Sequence, residues 1–132
     1  MIMAKQIKRK KGFSCGLRSF ELLVKEAVTS LPEEIKKNLE NVAIIIEEDF
    51  PDKKRSKENQ ELLGLYHGVP KSERGFWYGN TLPDRIVIFK RPLERISTHW
   101  EELKENIRRT VFHEVGHYFG LSEDDLRSLE EE

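Results

Sequence analysis

Apolar positions recur with a helical period in three parts of the chain and cluster as β-branched runs in two others. Between Ser19 and Ser30, the residues Phe20, Leu23, Val24, Ala27 and Val28 share one face, which predicts an amphipathic helix. Ser30-Leu-Pro-Glu33 then reads as a capping box, a hydroxyl and a carboxylate spaced to satisfy backbone N–H groups, and opens a short second helix through Leu39. Val42-Ala-Ile-Ile-Ile46 is bounded by Asn41 and by charges, predicts a buried strand, and is broken at Phe50-Pro51. The densely charged stretch from Asp52 to Asn59 predicts a surface loop.

From Leu62 to Asp84, aromatics alternate with Gly64, Gly68, Pro70, Gly75, Gly79, Asn80 and Pro83, a composition for short strands and loops. Arg85-Ile-Val-Ile-Phe89 is the second clear strand, ended by Pro92. Thr98-His-Trp-Glu101 is another capping box. It opens a long helix whose stripe Trp100, Leu103, Ile107, Val111, Val115 and Tyr118 faces a core. Gly120 stops that helix, and Ser122 with Asp125 caps a short last one through Leu126 and Leu129. The order helix, helix, strand, loops with short strands, strand, long helix, short helix predicts an α+β domain. Its helices pack on one face of a small mixed sheet.

Composition narrows the class. At 132 residues the chain is one domain, read as a basic flexible tail over 1–15 and a folded domain over 16–132. Hydrophobic residues make up 37% and charged residues 36%, so the exterior is heavily charged. A formal net charge of −1 supplies no overall attraction to nucleic acid, and the basic run from Lys5 to Lys11 reads as a solvated end. The single cysteine, Cys15, allows no intrachain disulfide; it reads as structural and fits a reducing compartment. No apolar segment has the length of a membrane span or the form of a signal peptide. A cytoplasmic monomer that engages no membrane is the expectation.

The chemistry is concentrated in His113-Glu-Val-Gly-His117 and the residues after it, an H-E-x-x-H-x-x-G-x-x-E string. Helical residues four apart lie one above the other, so His113 and His117 can offer ring nitrogens to one ion. On the wheel both fall opposite the apolar stripe, which predicts that they are not core residues. Glu114 lies between them, placed to reach water rather than to ligate. Gly116 costs about 1 kcal/mol in a helix interior relative to alanine, and its small size would admit close approach of another segment. Two imidazoles need a third ligand to make a catalytic zinc site. After the Gly120 turn, Glu123 has the spacing to return to the ion, with Asp124 beside it as the alternative. If Ser122 caps a helix, Glu123 is instead a first-turn residue answering the helix dipole. Zinc is the expected ion, though the same donors also take manganese, iron or cobalt.

Several stretches together resemble the small bacterial zincin-like metallopeptidase family. They are Leu31-Pro-Glu-Glu34, Asn41-Val-Ala-Ile44, the segment from Leu63 to Gly75, Leu82-Pro-Asp-Arg-Ile86 and the segment from Arg109 to Ser122. The resemblance spans roughly residues 18 to 130. It implies a zincin-like α+β fold, zinc at His113 and His117, Glu114 as catalytic base, and an acidic third ligand after the glycine, which Glu123 matches. Metzincins carry a similar string with histidine or aspartate at that place and a methionine turn below the metal. Here the methionines are Met1 and Met3, so the chain is a reduced relative at most.

A zinc peptidase acting on a peptide or protein substrate is therefore the leading expectation. An edge strand beside the active helix would pair with an extended peptide, and Arg85 to Lys90 is the candidate strand. Tyr66, His67, Arg74 and Tyr78 are candidate oxyanion donors, each more readily explained as structural. Two rivals stand beside this reading. One is a non-catalytic metal domain that binds a partner, with Phe76-Trp77-Tyr78 as its surface. The other is a zinc-dependent RNA endonuclease. Ribosomal-RNA maturation enzymes have a similar H-x-x-x-H-x-x-G-x-x-H string, but they lack the glutamate and keep a third histidine.

Overall fold

A computed structural model describes residues 2–6, 13–50, 60–74 and 83–130. The elements are β1 (Ile2–Gln6), α1 (Leu17–Thr29), α2 (Glu33–Lys37), β2 (Val42–Glu47), β3 (Gln60–His67), β4 (Asp84–Phe89), α3 (Lys90–Arg95), α4 (Trp100–Tyr118) and α5 (Glu123–Glu130), with a 3-10 turn at Lys71–Glu73. The strands form one mixed sheet in the order β1-β3-β4-β2. β3 is antiparallel to β1 and β4, while β4 is parallel to β2.

The core lies between one face of this sheet and the helices α1 and α4. Phe20, Leu23, Val24 and Ala27 of α1 meet Leu103, Ile107 and Val111 of α4, over Leu63 of β3 and Ile86 and Ile88 of β4. Along β4, buried Ile86 and Ile88 alternate with exposed Arg85 and half-buried Val87, so the helices cover one side of the sheet, as the period-two pattern requires. Trimming Leu103 or Ile107, both fully buried, to alanine would cost about 2–5 kcal/mol.

Several expectations are corrected. Residues 1–15 are not simply a tail: Ile2–Gln6 pairs with β3, and Phe13 to Cys15 dock on the domain. The Phe13 N–H donates to the Ser97 carbonyl at 2.7 Å, and its ring sits edge-on to Trp100. The Cys15 N–H donates to the buried Glu94 carboxylate at 2.7 Å. An open β3 edge calls for main-chain partners whatever side chains they carry, so a basic composition does not prevent strand pairing. Residues 7–12 lie outside the described residues.

β2 is an edge strand, and its residues Val42 to Ile46 are half-buried rather than fully covered. Ser30 caps the end of α1 instead of the start of α2, its hydroxyl donating to the Ala27 carbonyl. Pro92 does not end a strand but sits in the first turn of α3, where the N–H it lacks would have no helical partner. The α4 cap falls one residue later than expected. His99 accepts from the Glu102 N–H, and Glu102 accepts from the Thr98 N–H at 2.8 Å. Trp100 stays 38% exposed, so the buried stripe begins at Leu103. β4 is paired on both sides, so Arg85 to Lys90 cannot be an edge that receives a peptide. The expected loop from Asp52 to Asn59, together with Phe76, Trp77 and Tyr78 and the Leu129 side chain, lies outside the described residues.

Candidate metal centre

The last two turns of α4 carry the candidate site. His113 is 6% and His117 2% exposed, so the expectation that they lie off the core is corrected: α5 and the turn before it cover the side opposite the apolar stripe. Their ring centroids are 4.9 Å apart, with planes at 76°.

The helix ends in a Schellman motif. Gly120, at φ +93°, sends its N–H to the His117 carbonyl at 2.9 Å, and the Leu121 N–H reaches the Gly116 carbonyl at 3.0 Å. This reversal brings the Leu121 carbonyl to His117 Nδ1 at 2.9 Å. A carbonyl only accepts, so Nδ1 carries a hydrogen; with an ion bound, Nε2 would be the nitrogen that presents a lone pair, where it now donates to Glu123.

The chain then enters α5 through a closed capping box. The Asp125 N–H donates to the Ser122 hydroxyl at 3.1 Å, and the Ser122 N–H donates to Asp125 at 3.0 Å, which holds the Asp125 carboxyl below its ordinary range. Glu123 is the first residue inside this helix and also faces both imidazoles. Its oxygens lie 2.7 Å from His117 Nε2 and 2.9 Å from His113 Nε2. The two roles that the sequence left as alternatives thus coincide in one side chain. Asp124 points outward, its side chain 94% exposed. Burial raises the Glu123 pKa, but the hydrogen bonds from both histidines outweigh this and hold it low.

What docks α5 is Gly116. A Cβ there would lie 2.4 Å from Cδ2 of Leu126, a fully buried side chain one turn after Glu123. The close approach expected at this glycine is therefore made by α5.

Glu114 is fully buried, and neither carboxylate oxygen forms a regular hydrogen bond with a described residue. Burial pushes its pKa up to about 8; the Tyr66 main-chain N–H opposes this, and the Glu123 charge adds to it. β3 crosses α4 closely here, since a Cβ on Gly64 would sit 3.3 Å from Glu114 Cγ and 2.6 Å from Thr110 Cγ2. His113, Glu114 and His117 each offer a ligand atom within 4.8 Å of the others. Two imidazole nitrogens, a carboxylate held against them and a buried acid without a regular partner make a donor set that suits zinc.

The candidate oxyanion donors are not brought to this point as free groups. The Tyr66 hydroxyl and the Arg74 guanidinium both donate to the buried Asp84 carboxylate, Arg74 at 2.7 Å. Arg74 also stacks on Tyr118, 4.9 Å from its ring centre. The Tyr118 hydroxyl in turn donates to the Glu40 carbonyl at 2.9 Å. This network fixes the 3-10 turn against the end of α4. His67 is exposed at the end of β3, and Tyr78 lies outside the described residues. Sequence reasoning missed the Leu121 carbonyl and Leu126. Gly116 inside a helix was the available signal for Leu126; a main-chain carbonyl leaves none.

A profile of the family described as zincin-like metallopeptidase matches residues 39–132. A conserved hypothetical protein from Thermus thermophilus is similar in structure, with a TM-score of 0.52 and 21% identity over 88% of this chain and 98% of that one. That likeness supports the fold alone. No functionally curated protein matches the sequence. Among the described residues, no helix is long and apolar enough to cross a membrane.

Proposed function

Since the chain belongs to the zincin-like metallopeptidase family, we propose that it hydrolyses peptide bonds with the help of one zinc ion. His113, His117 and Glu123 would hold the ion, and Glu114 is the general base. The carrying observation is that one carboxylate meets two imidazole Nε2 atoms beside a buried acid that has no regular partner.

Zinc in such a site lowers the pKa of water and polarises a carbonyl oxygen. The remaining work falls to the protein. The Leu121 carbonyl holds His117 in the tautomer that leaves Nε2 free to donate electrons. The Ser122–Asp125 box and the Leu126–Gly116 contact fix the direction of Glu123. Glu114 takes a proton from the attacking water as the carbon–oxygen bond forms, then passes it to the amine nitrogen as the carbon–nitrogen bond breaks. Burial holds its pKa up without metal, and a cation held beside it would draw that pKa down towards neutrality, where the group can both accept and release a proton.

The test combines metal content with peptide-library digestion read by mass spectrometry. The wild type should carry one zinc per chain and cut peptides. Glu114→Gln should keep the metal and lose cleavage, whereas His117→Ala and Glu123→Ala should lose metal. Undiminished cleavage by Glu114→Gln would remove the proposed base. Metal binding with no turnover in any form would favour the non-catalytic partner-binding reading, and chelator-sensitive RNA cleavage would favour the nuclease.

A further inference from the structure

The first strand lies along the sheet edge that runs to the candidate site. β1 runs antiparallel along the outer edge of β3, from Gln6 opposite Gln60 to Ile2 opposite Leu65. The same stretch of β3 rests on the site helix at Gly64, beside Glu114, and α4 also packs against β1. β3 continues past the last residue that β1 covers, through Tyr66 and His67, whose pairing, among the described residues, is with β4 alone. Main-chain groups two residues apart in a strand point the same way, so Tyr66 presents its N–H on the same edge of β3 as Gly64. That N–H is the one directed towards Glu114. The β3 edge thus leads to the candidate base, and β1 takes up all of it except the last two residues.

We propose that β1 is an internal gate: a strand held in cis on the peptide-receiving edge of β3, which an extended substrate must displace to cross the site. The proposal rests on the peptidase reading of that site. It concerns a segment that precedes the family-matched region, which begins at residue 39. Two residues of open edge are too few for a peptide gripped on both sides of a scissile bond, since strand recognition draws its affinity from a row of main-chain hydrogen bonds. β1 is also built to leave. It has five residues, it is the outermost strand on its side of the sheet, and its register shifts between Met3 and Ala4, which interrupts the ladder. With β4 interior, the outer edge of β3 is the edge beside Glu114 that can serve.

Opposite perturbations of the full chain test this. Ala4→Pro weakens the strand by removing a main-chain donor. Ile2→Cys with Leu65→Cys, on a Cys15→Ser background, allows a lock, because directly opposed antiparallel residues fall within disulfide reach. The probe is a fluorescein-labelled peptide with the sequence Met1 to Lys8, added to zinc-loaded Glu114→Gln protein. Ala4→Pro should bind it at least about tenfold more tightly than the parent. Adding the cysteine pair to Ala4→Pro should abolish that gain when oxidised and restore it on reduction. With Glu114 intact, peptide turnover should follow the same order.

Probe binding indifferent to both changes overturns the gate, and so does turnover that the closed disulfide leaves untouched. Probe binding that responds as expected while no form cleaves any peptide supports strand exchange and removes the peptidase reading instead. Exchange of the Leu65 amide provides a check independent of both, as it should quicken in Ala4→Pro and slow in the oxidised pair.

Discussion

Gly116→Ala separates two effects that would otherwise be confused. An alanine in the middle of a helix is favoured over glycine by about 1 kcal/mol, so helix propensity alone says the variant gains stability. The structure says otherwise. The new methyl would stand 2.4 Å from Leu126 Cδ2, and an ordinary carbon contact needs at least a further ångström. Leu126 is fully buried and cannot swing into solvent, so α5 must shift or the leucine must adopt a poorer rotamer. Overpacking of this kind costs about 1–3 kcal/mol. The sum is a net loss of about 0–2 kcal/mol in the metal-free protein, small because the two terms oppose each other.

The effect on the site has no such compensation. Glu123 lies three residues before Leu126 in the same short helix, and its oxygens meet the two histidines at 2.7 and 2.9 Å. A displacement of about 1 Å removes one of those contacts, and loss of support around a metal ligand lowers affinity by about 10- to 100-fold. Urea denaturation in chelator should therefore find Gly116→Ala close to wild type, while competition with a chromophoric chelator finds zinc binding weakened. Leu126→Ala alone should cost about 2–5 kcal/mol, and the double variant less than the two single losses summed, by about 1 kcal/mol or more. A Gly116→Ala protein that is stabilised by the full propensity term and binds zinc like the parent would show that α5 does not dock at this glycine.

Other outcomes follow from single contacts. Glu114 has its pKa pushed up by burial to about 8 in the fold, so it contributes stability below its unfolded pKa that is lost as pH rises through about 8. Without metal, the wild type should lose on the order of 4 kcal/mol more than Glu114→Gln between pH 4.5 and 8, an upper limit checked by urea melts at several pH values. Parallel pH profiles for the two proteins would contradict this. Ser122→Ala opens the α5 cap and should cost about 1 kcal/mol, together with a several-fold loss of zinc affinity in the same chelator titration. Gly120→Ala places a methyl in a left-handed turn and against Ser72 Oγ, 1.9 Å from the built Cβ, so a drop of well over 1 kcal/mol is expected by thermal melting.

How much of this was legible depended on whether a feature is local. The α1 stripe, the strand at Ile86 and Ile88 and the Ser122–Asp125 cap depend on residues within a few positions of each other, and their spacing announces them. The exposure of β2 does not, since a β-branched run reads alike at the centre of a sheet and at its edge until the strand order is known. The position of β1 was hidden for a related reason. Its pairing is main chain to main chain across some sixty residues, and its five residues, Ile2 to Gln6, are too few and too close to the basic run from Lys5 to Lys11 to announce a strand by their own pattern. Burial of the two histidines failed on a wheel because a wheel describes one helix. The side opposite the core stripe is covered by α5, which arrives only because Gly120 reverses the chain.

The local irregularities fall close together, and their grouping is itself an argument about the site. Within residues 113–120 there are two buried imidazoles, a buried acid without a regular partner, a glycine inside a helix and a left-handed turn. The imidazoles and the acid weaken the fold by lost solvation, and the glycine inside the helix by lost propensity. A chain selected only for stability could replace the imidazoles and the buried acid with aliphatic residues like those of the α4 core stripe. Every one of them, however, serves the same placement. Gly116 admits Leu126, Gly120 brings the Leu121 carbonyl to His117 and turns the chain towards Glu123, and the burial that raises the Glu114 pKa also sets it beside the histidines. A bound cation would offset part of these costs in proportion to its affinity, because it binds the folded chain and not the unfolded one. The wild type should accordingly gain thermal stability from zinc, and His117→Ala should gain none.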